Sequence, residues 1–196
     1  MATDHHSLLD RLSKPNSPLF TEDKSPSTEF TVIGNGAGRI VIESPQLPPN
    51  TVAKIAYPLN YTDTGTPKGD PFAHGTTQNA VERFISSHNT LLTPYTLPVE
   101  THPKTHHRWL LYPKADEITD HYALINTFDE LEYHGINAED FFTPENWGWY
   151  KQQDLLIDYG YIHPDNHRCL VQIAEQVSLW NEKKQLAINK QESDTL

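Results

Sequence analysis

At 196 residues and 36% hydrophobic content, the chain has length for one domain or for two small lobes sharing a cleft. Its 15 Lys and Arg against 26 Asp and Glu leave a formal charge of −11. That excludes nucleic acid or an anionic membrane as the main partner, because counterion release needs a basic face.

The single cysteine, Cys169, leaves no disulfide framework within the chain. No apolar run reaches the roughly 18 residues of a membrane span. The opening MATDHHSLLDRLSKPNSP has neither the basic nor the apolar region of a secretory signal. A cytoplasmic protein is expected.

Residues 1–29 are rich in Ser, Thr, Pro, Asp and Lys, with one apolar knot at Leu8, Leu9 and Leu12. This composition predicts a mobile, disordered N-terminal arm, with room for one helical turn. Phe30–Ile33, Arg39–Glu43 and Thr51–Tyr57 read as three short strands joined by turns, an antiparallel meander. The glycine-rich segment Gly34-Asn35-Gly36-Ala37-Gly38 separates the first two. Residues 58–75 form a turn-rich insertion. A helix follows, with Thr76 or Thr77 as N-cap and Val81, Phe84 and Ile85 as its apolar positions.

Leu97–Val99 has room for a fourth strand, and Trp109–Tyr112, stopped by Pro113, reads as a fifth. Helical character returns over Ile118–Tyr133, where Thr127 to Glu130 has the form of a capping box and Gly135 of a C-cap. Asp154–Ile157 reads as a strand. The amphipathic stripe Leu170, Ile173, Ala174, Val177 and Trp180 predicts a final helix. A strand-rich first half, residues 30–114, thus joins a helical second half, residues 115–196, through Pro113-Lys114-Ala115.

Four features carry chemistry. The glycine turn lets backbone N–H groups approach a ligand closely, which suits phosphate oxygens, although a flexible hairpin accounts for the same residues. Lys54 sits in the otherwise apolar run Val52-Ala53-Lys54-Ile55-Ala56, where a lysine is costly unless it reaches water or meets an anion. Glu82, at the margin of the helix's buried stripe, is a candidate partner for it. Finally, Asn146 in Pro144-Glu145-Asn146 and Asp158 in Asp158-Tyr159-Gly160 offer hard oxygen donors of the kind Mg²⁺ takes along with phosphate oxygens. A strand–turn–strand between them can bring the two together. Asp140 is a candidate acceptor for a substrate hydroxyl proton. The eleven histidines, including His5-His6, His102, His106 and His107, have no cysteine partner and no helical metal spacing, so a structural zinc site is not expected.

In this order, the glycine turn, strand lysine, helix glutamate, connection after Trp109–Tyr112, Asp140, Asn146 and Asp158-Tyr159-Gly160 resemble the protein kinase-like phosphotransferase fold, from about residue 30 to 165. The stretch from Asn146-Trp147-Gly148 to Asp158-Tyr159-Gly160 is also similar to small kinase-like proteins of phages and prokaryotes. The resemblance implies an α+β, two-lobe fold: a five-stranded antiparallel N-lobe sheet with one helix, then a truncated, mainly helical C-lobe. It further implies an ATP site lined by Gly34, Gly36, Gly38, Arg39, Val41, Lys54 and Tyr112, and Mg²⁺ on Asn146 and Asp158. Catalytic roles would fall to Lys54, Glu82 and Asp140.

The match has gaps. Arg39 stands where the family's third loop glycine falls. Asn137-Ala138-Glu139-Asp140 replaces the His-Arg-Asp signature, and Asp140 lies six residues before Asn146 where the family has five. Only 36 residues follow Gly160, with no Ala-Pro-Glu motif, so the usual platform for a peptide substrate is missing. Two functions follow: an ATP- and Mg²⁺-dependent phosphotransferase with an unassigned acceptor, or an inactive pseudokinase serving as an interaction module, with a protein partner completing the short C-lobe. A plain α+β binding protein in which these residues coincide by accident is the third.

Overall fold

The computed structural model describes residues 5–20, 27–59, 68–70, 73–88, 92–100, 107–118, 121–133 and 139–160. The first sheet is an antiparallel meander of β1 (Thr31–Asn35), β2 (Arg39–Glu43), β3 (Thr51–Ala56) and β4 (Trp109–Pro113), in that order. Alternation along these strands sorts the side chains onto two buried faces. Ile40, Ile42, Ala53, Ile55, Trp109 and Leu111 point to one side; Val52, Leu110 and Tyr112 point to the other, together with Lys54. Every residue of β3 and β4 is therefore buried, which explains their nearly unbroken apolar sequence.

The first face is covered by helix α1 (His5–Leu12), through buried Leu8, Leu9 and Leu12. Asp10 Oδ1 accepts a 2.6 Å hydrogen bond from Trp109 Nε1. Where composition predicts a mobile arm over 1–29, residues 5–12 instead form a packed helix, because three leucines on one side outweigh the polar residues around them. The other face carries helix α2 (Gly75–Ser87) and the remaining elements.

The second sheet is also antiparallel: β5 (Asp116–Glu117), β6 (Trp147–Tyr150) and β7 (Gln153–Leu156). A two-residue turn, Lys151-Gln152, joins β6 to β7 with both residues in the left-handed region (φ 49° and 66°), the twist that suits a tight hairpin. Helix α3 (Ile125–Tyr133) follows a 3₁₀ turn at His121–Leu124.

The expected five-stranded sheet does not hold, and the described part of the second half carries a three-stranded sheet beside its helical segments. The observed architecture is α+β with sheets of four and three antiparallel strands, and three α-helices among the described residues. Leu97–Val99 is not a strand of the first sheet. Pro98 lacks the N–H a ladder needs, and the donors around it diverge: Leu97 N bonds Leu156 O (2.9 Å), Val99 N bonds Ser86 Oγ (2.8 Å) and Glu100 N bonds Leu111 O (2.8 Å). The segment thereby ties the sheets together.

Two cap assignments also shift. Helix α2 starts at Gly75 with His74, not a threonine, in the cap position. Its first turn is drawn against the glycine turn, so closely that a Cβ on Gly75 would lie 2.0 Å from Gly38 O. The Thr127–Glu130 segment lies inside α3 and caps nothing, since the 3₁₀ turn leads straight into that helix. Gly135, the interior of the 58–75 insertion and the expected final helix lie outside the described residues.

If α1 is part of the core, Leu9→Ala should lower stability by about 2–5 kcal/mol in urea unfolding. A mobile arm would leave the unfolding midpoint where it was.

Candidate functional site

Lys54 is on an inner strand, between β2 and β4, and only 6% exposed. Its ammonium donates to both carboxylate oxygens of Glu82, at 3.0 and 3.1 Å, and to the carbonyl of Ile157. Glu82 is not at the margin of α2's buried stripe but at its centre, with no exposed surface. The stripe is polar as well as apolar: Gln78, Asn79, Glu82 and Ile85 follow helical spacing and are all buried.

The Glu82 carboxylate gathers four further contacts or supports. Arg39 Nη2 lies 2.9 Å from Oε1, the Tyr159 backbone N–H donates to Oε1 at 3.1 Å, and the Tyr112 hydroxyl donates to Oε2. Asn79 Oδ1 accepts from Arg39 Nη1 at 3.3 Å, while its own Nδ2 donates to His107 O at 2.8 Å, holding the guanidinium from behind. Burial alone raises a carboxyl's pKa. Here the charges of Arg39 and Lys54, with hydrogen bonds from Arg39 and Tyr112, outweigh it and bring Glu82 down to about 2. Lys54 is held below the ordinary lysine value, first by burial and also by the like charge of Arg39, against the opposing pull of Glu82. Arg39 stays firmly charged: burial opposes its charge, but Glu82 and Asp158 more than offset that.

Asn146 and Asp158 meet at the open end of the β6–β7 hairpin. Trp147 pairs with Leu156, and the next residues close the ends: Ile157 N and Asp158 N approach Asn146 O at 2.7 and 3.3 Å. The Asp158 side chain, about half exposed, contacts Arg39 through Oδ1, with Lys54 Nζ 3.8 Å from the same oxygen. Tyr159 turns inward and donates to Leu97 O at 2.7 Å. Gly160 then passes so close to α2 that a Cβ would sit 2.7 Å from Gln78 Cβ and from its carbonyl oxygen.

Two adjoining cavities share Val41, Lys54, Asn146 and Asp158. One, about 420 Å³, is the more polar of the two: Gly36, Gly38 and Arg39 line it with those four. The other, about 320 Å³, is mostly apolar, with Ile33, Val52, Leu97, Tyr112, Ala115 and Ile157, and the Pro113-Lys114-Ala115 connection on its rim. Together they form a cleft with a charged end and an apolar end, each in the size range of a small-molecule site.

No protein-family model matches the chain, and no curated protein or solved structure does either. The geometry therefore carries the functional reading.

Of the candidate residues, Lys54, Glu82, Arg39, Tyr112, Val41, Asn146, Asp158, Gly34, Gly36 and Gly38 all border this cleft or the ion cluster beneath it. Gly36 does not offer its N–H to a ligand, since that group closes the hairpin by donating to Arg39 O at 2.9 Å. Asp140 falls in the 3₁₀ turn Glu139–Phe142, and its side chain lies outside the described residues. Sequence reasoning missed Gln78, Asn79 and the Ile157 carbonyl. A cluster of polar residues on the same helical face as Ile85 was the available signal for the first two.

Asn146 and Asp158 line one cavity as two oxygen donors, with Asp158 also in contact with Arg39. Among the described residues, no group of three or more His, Cys, Asp and Glu is placed to hold a metal ion. Two protein ligands with phosphate and water completing the shell is the usual habit of Mg²⁺. Among the described residues, no helix is long and apolar enough to cross a membrane.

The depressed Glu82 value sets the sign of a pH effect. A carboxyl at 4.5 when unfolded and about 2 when folded stabilises fully above 4.5, and loses that contribution as the pH falls through about 2. Glu82→Gln leaves two buried cations short of their counter-charge and should cost about 3–5 kcal/mol at pH 7. The gap from the wild type should narrow in urea unfolding between pH 4.5 and 2. A constant gap would show that charge is not the cause.

Proposed function

We propose that the cleft binds ATP with Mg²⁺ and serves ATP-dependent phosphoryl transfer, the activity implied by the resemblance to protein kinase-like phosphotransferases. The observation that carries this reading is the buried Lys54–Glu82 pair at the floor of a cleft whose mouth holds Asp158 and Asn146. A lysine so braced cannot swing away and presents a fixed positive charge to an anion. The apolar end, between Val41, Val52 and Leu97, suits a planar base, and the polar end suits its phosphates.

The chain's own residues act by position and charge. Glu82 orients the ammonium of Lys54, which holds phosphate oxygens. Arg39 adds a second cation on the same wall. Asn146 and Asp158 would hold the metal, which when bound supplies neutralisation of charge shared across phosphate oxygens. Asp140 is assigned the acceptor hydroxyl.

A second reading is a nucleotide-binding module that serves a protein partner without transferring phosphate. Tyr122, Ile125 and Tyr133, exposed around α3, favour it.

Thermal unfolding with ATP and Mg²⁺, against ATP and EDTA, tests the shared site. At 100 times Kd the metal-containing sample should gain about 2.7 kcal/mol. No metal-dependent shift would overturn the nucleotide reading. Asp140→Asn should abolish release of γ-phosphate while keeping that shift; a wild type that binds but never turns over would favour the partner module.

A further inference from the structure

Arg39 is the residue in the cleft with most work to explain. It stands directly after the last glycine of the turn, yet its side chain is almost wholly buried. Its guanidinium is divided among Asn79, Glu82 and Asp158. Lys54 Nζ lies 3.8 Å from the Asp158 oxygen that Arg39 contacts. The carboxylate best placed to take a divalent cation is therefore already held by one cation and approached by a second.

Charge counting sharpens the point. Arg39 and Lys54 face Glu82 and Asp158, two positive groups against two negative, so these four groups sum to zero. A lone divalent cation reaching Asp158 meets the guanidinium and ammonium at close range, and their like charges oppose it even though water reaches the half-exposed carboxylate. A lone polyphosphate reaching Arg39 and Lys54 meets both carboxylates. A metal–polyphosphate complex meets neither obstacle, since each half takes the partner that the other half displaces. Arg39 also lies on the wall of the polar cavity beside Lys54, so moving from Asp158 to a phosphate oxygen keeps its charge paired.

We propose that Arg39 is a place-holder for the metal. It holds Asp158 and passes to phosphate when a divalent cation and a polyphosphate enter together, so that the two ligands bind strongly only as a pair. This rests on the reading of the cleft as a metal–nucleotide site and names how that site is regulated. Arg39 is a positioning residue for Asp158 and a direct phosphate ligand in the filled state.

The test uses Mn²⁺ as the metal probe and tripolyphosphate as the anion, with protein-bound Mn²⁺ measured as the metal that an ultrafiltration membrane retains, so that Mn²⁺ complexed by tripolyphosphate in solution is not counted. In the wild type, Mn²⁺ alone should bind weakly, and saturating tripolyphosphate should tighten it by about tenfold or more. In Arg39→Met, Mn²⁺ alone should bind about tenfold more tightly than to the wild type, and most of the dependence on tripolyphosphate should disappear. Arg39→Lys keeps the charge on a shorter, single-point side chain and should fall between them; it serves if the methionine variant does not fold by circular dichroism.

Unchanged Mn²⁺ affinity in both variants overturns the place-holder and leaves the nucleotide reading standing. Tighter Mn²⁺ in the variants, with no tripolyphosphate effect in the wild type, overturns the pairing and the polyphosphate reading together.

Discussion

One carboxylate gathers the fold. Glu82, on α2, receives Arg39 from β2, Lys54 from β3, the Tyr112 hydroxyl from β4 and the Tyr159 backbone N–H from the segment after β7. A buried carboxylate is expensive unless nearly every lone pair is used, and here the oxygens face four donors. The arrangement of strands around α2 is thus also a solution to a solvation problem. Lose one donor and the others are left with charge in a place without water.

That constraint also orients the cleft. Because Lys54 must reach Glu82 on the inner face, β3 has to present Val52 and Lys54 there and Ala53 and Ile55 to α1. The same register places Val41 and Leu110 beside Lys54 in the sheet. The glycine turn is then pinned over the charged end through the Gly38–Gly75 contact, and the β6–β7 hairpin brings Asn146 and Asp158 to its mouth. Backbone closeness substitutes for side-chain bulk at two seams, Gly38 against Gly75 and Gly160 against Gln78.

Parts of this were legible in the amino-acid sequence and parts were not, for physical reasons. A lysine amid Val, Ala and Ile announces a buried anion, and an Asn and an Asp flanking two short strands are brought together by any tight hairpin. Glu82 was harder to place. Gln78 and Asn79 look like solvent-facing residues, so Val81, Phe84 and Ile85, which do pack on the core, make the buried face seem narrower than it is. Asn79 is satisfied there by Arg39 and the His107 carbonyl, both far away in sequence, and Gln78 by the Ala73 carbonyl. The five-strand expectation failed at Pro98, where a missing N–H breaks the ladder and the donors around it go to β7, α2 and β4 in turn. The arm failed at α1, where overall composition hides three leucines that share one face. The Tyr159 N–H contact could not be read at all, since a backbone donor has no signature in side-chain identity.

The interdependence of Lys54 and Glu82 is the claim on which the cleft, its charge balance and the role of Arg39 all rest. A double-mutant cycle of Lys54→Met, Glu82→Gln and the combined variant, read by urea unfolding at pH 7, measures it directly. The predicted result is a coupling free energy of about 2–3 kcal/mol, with the double variant far less damaged than the sum of the singles. Single-variant losses that add to within about 0.5 kcal/mol would mean that the two side chains do not meet, and would contradict the account.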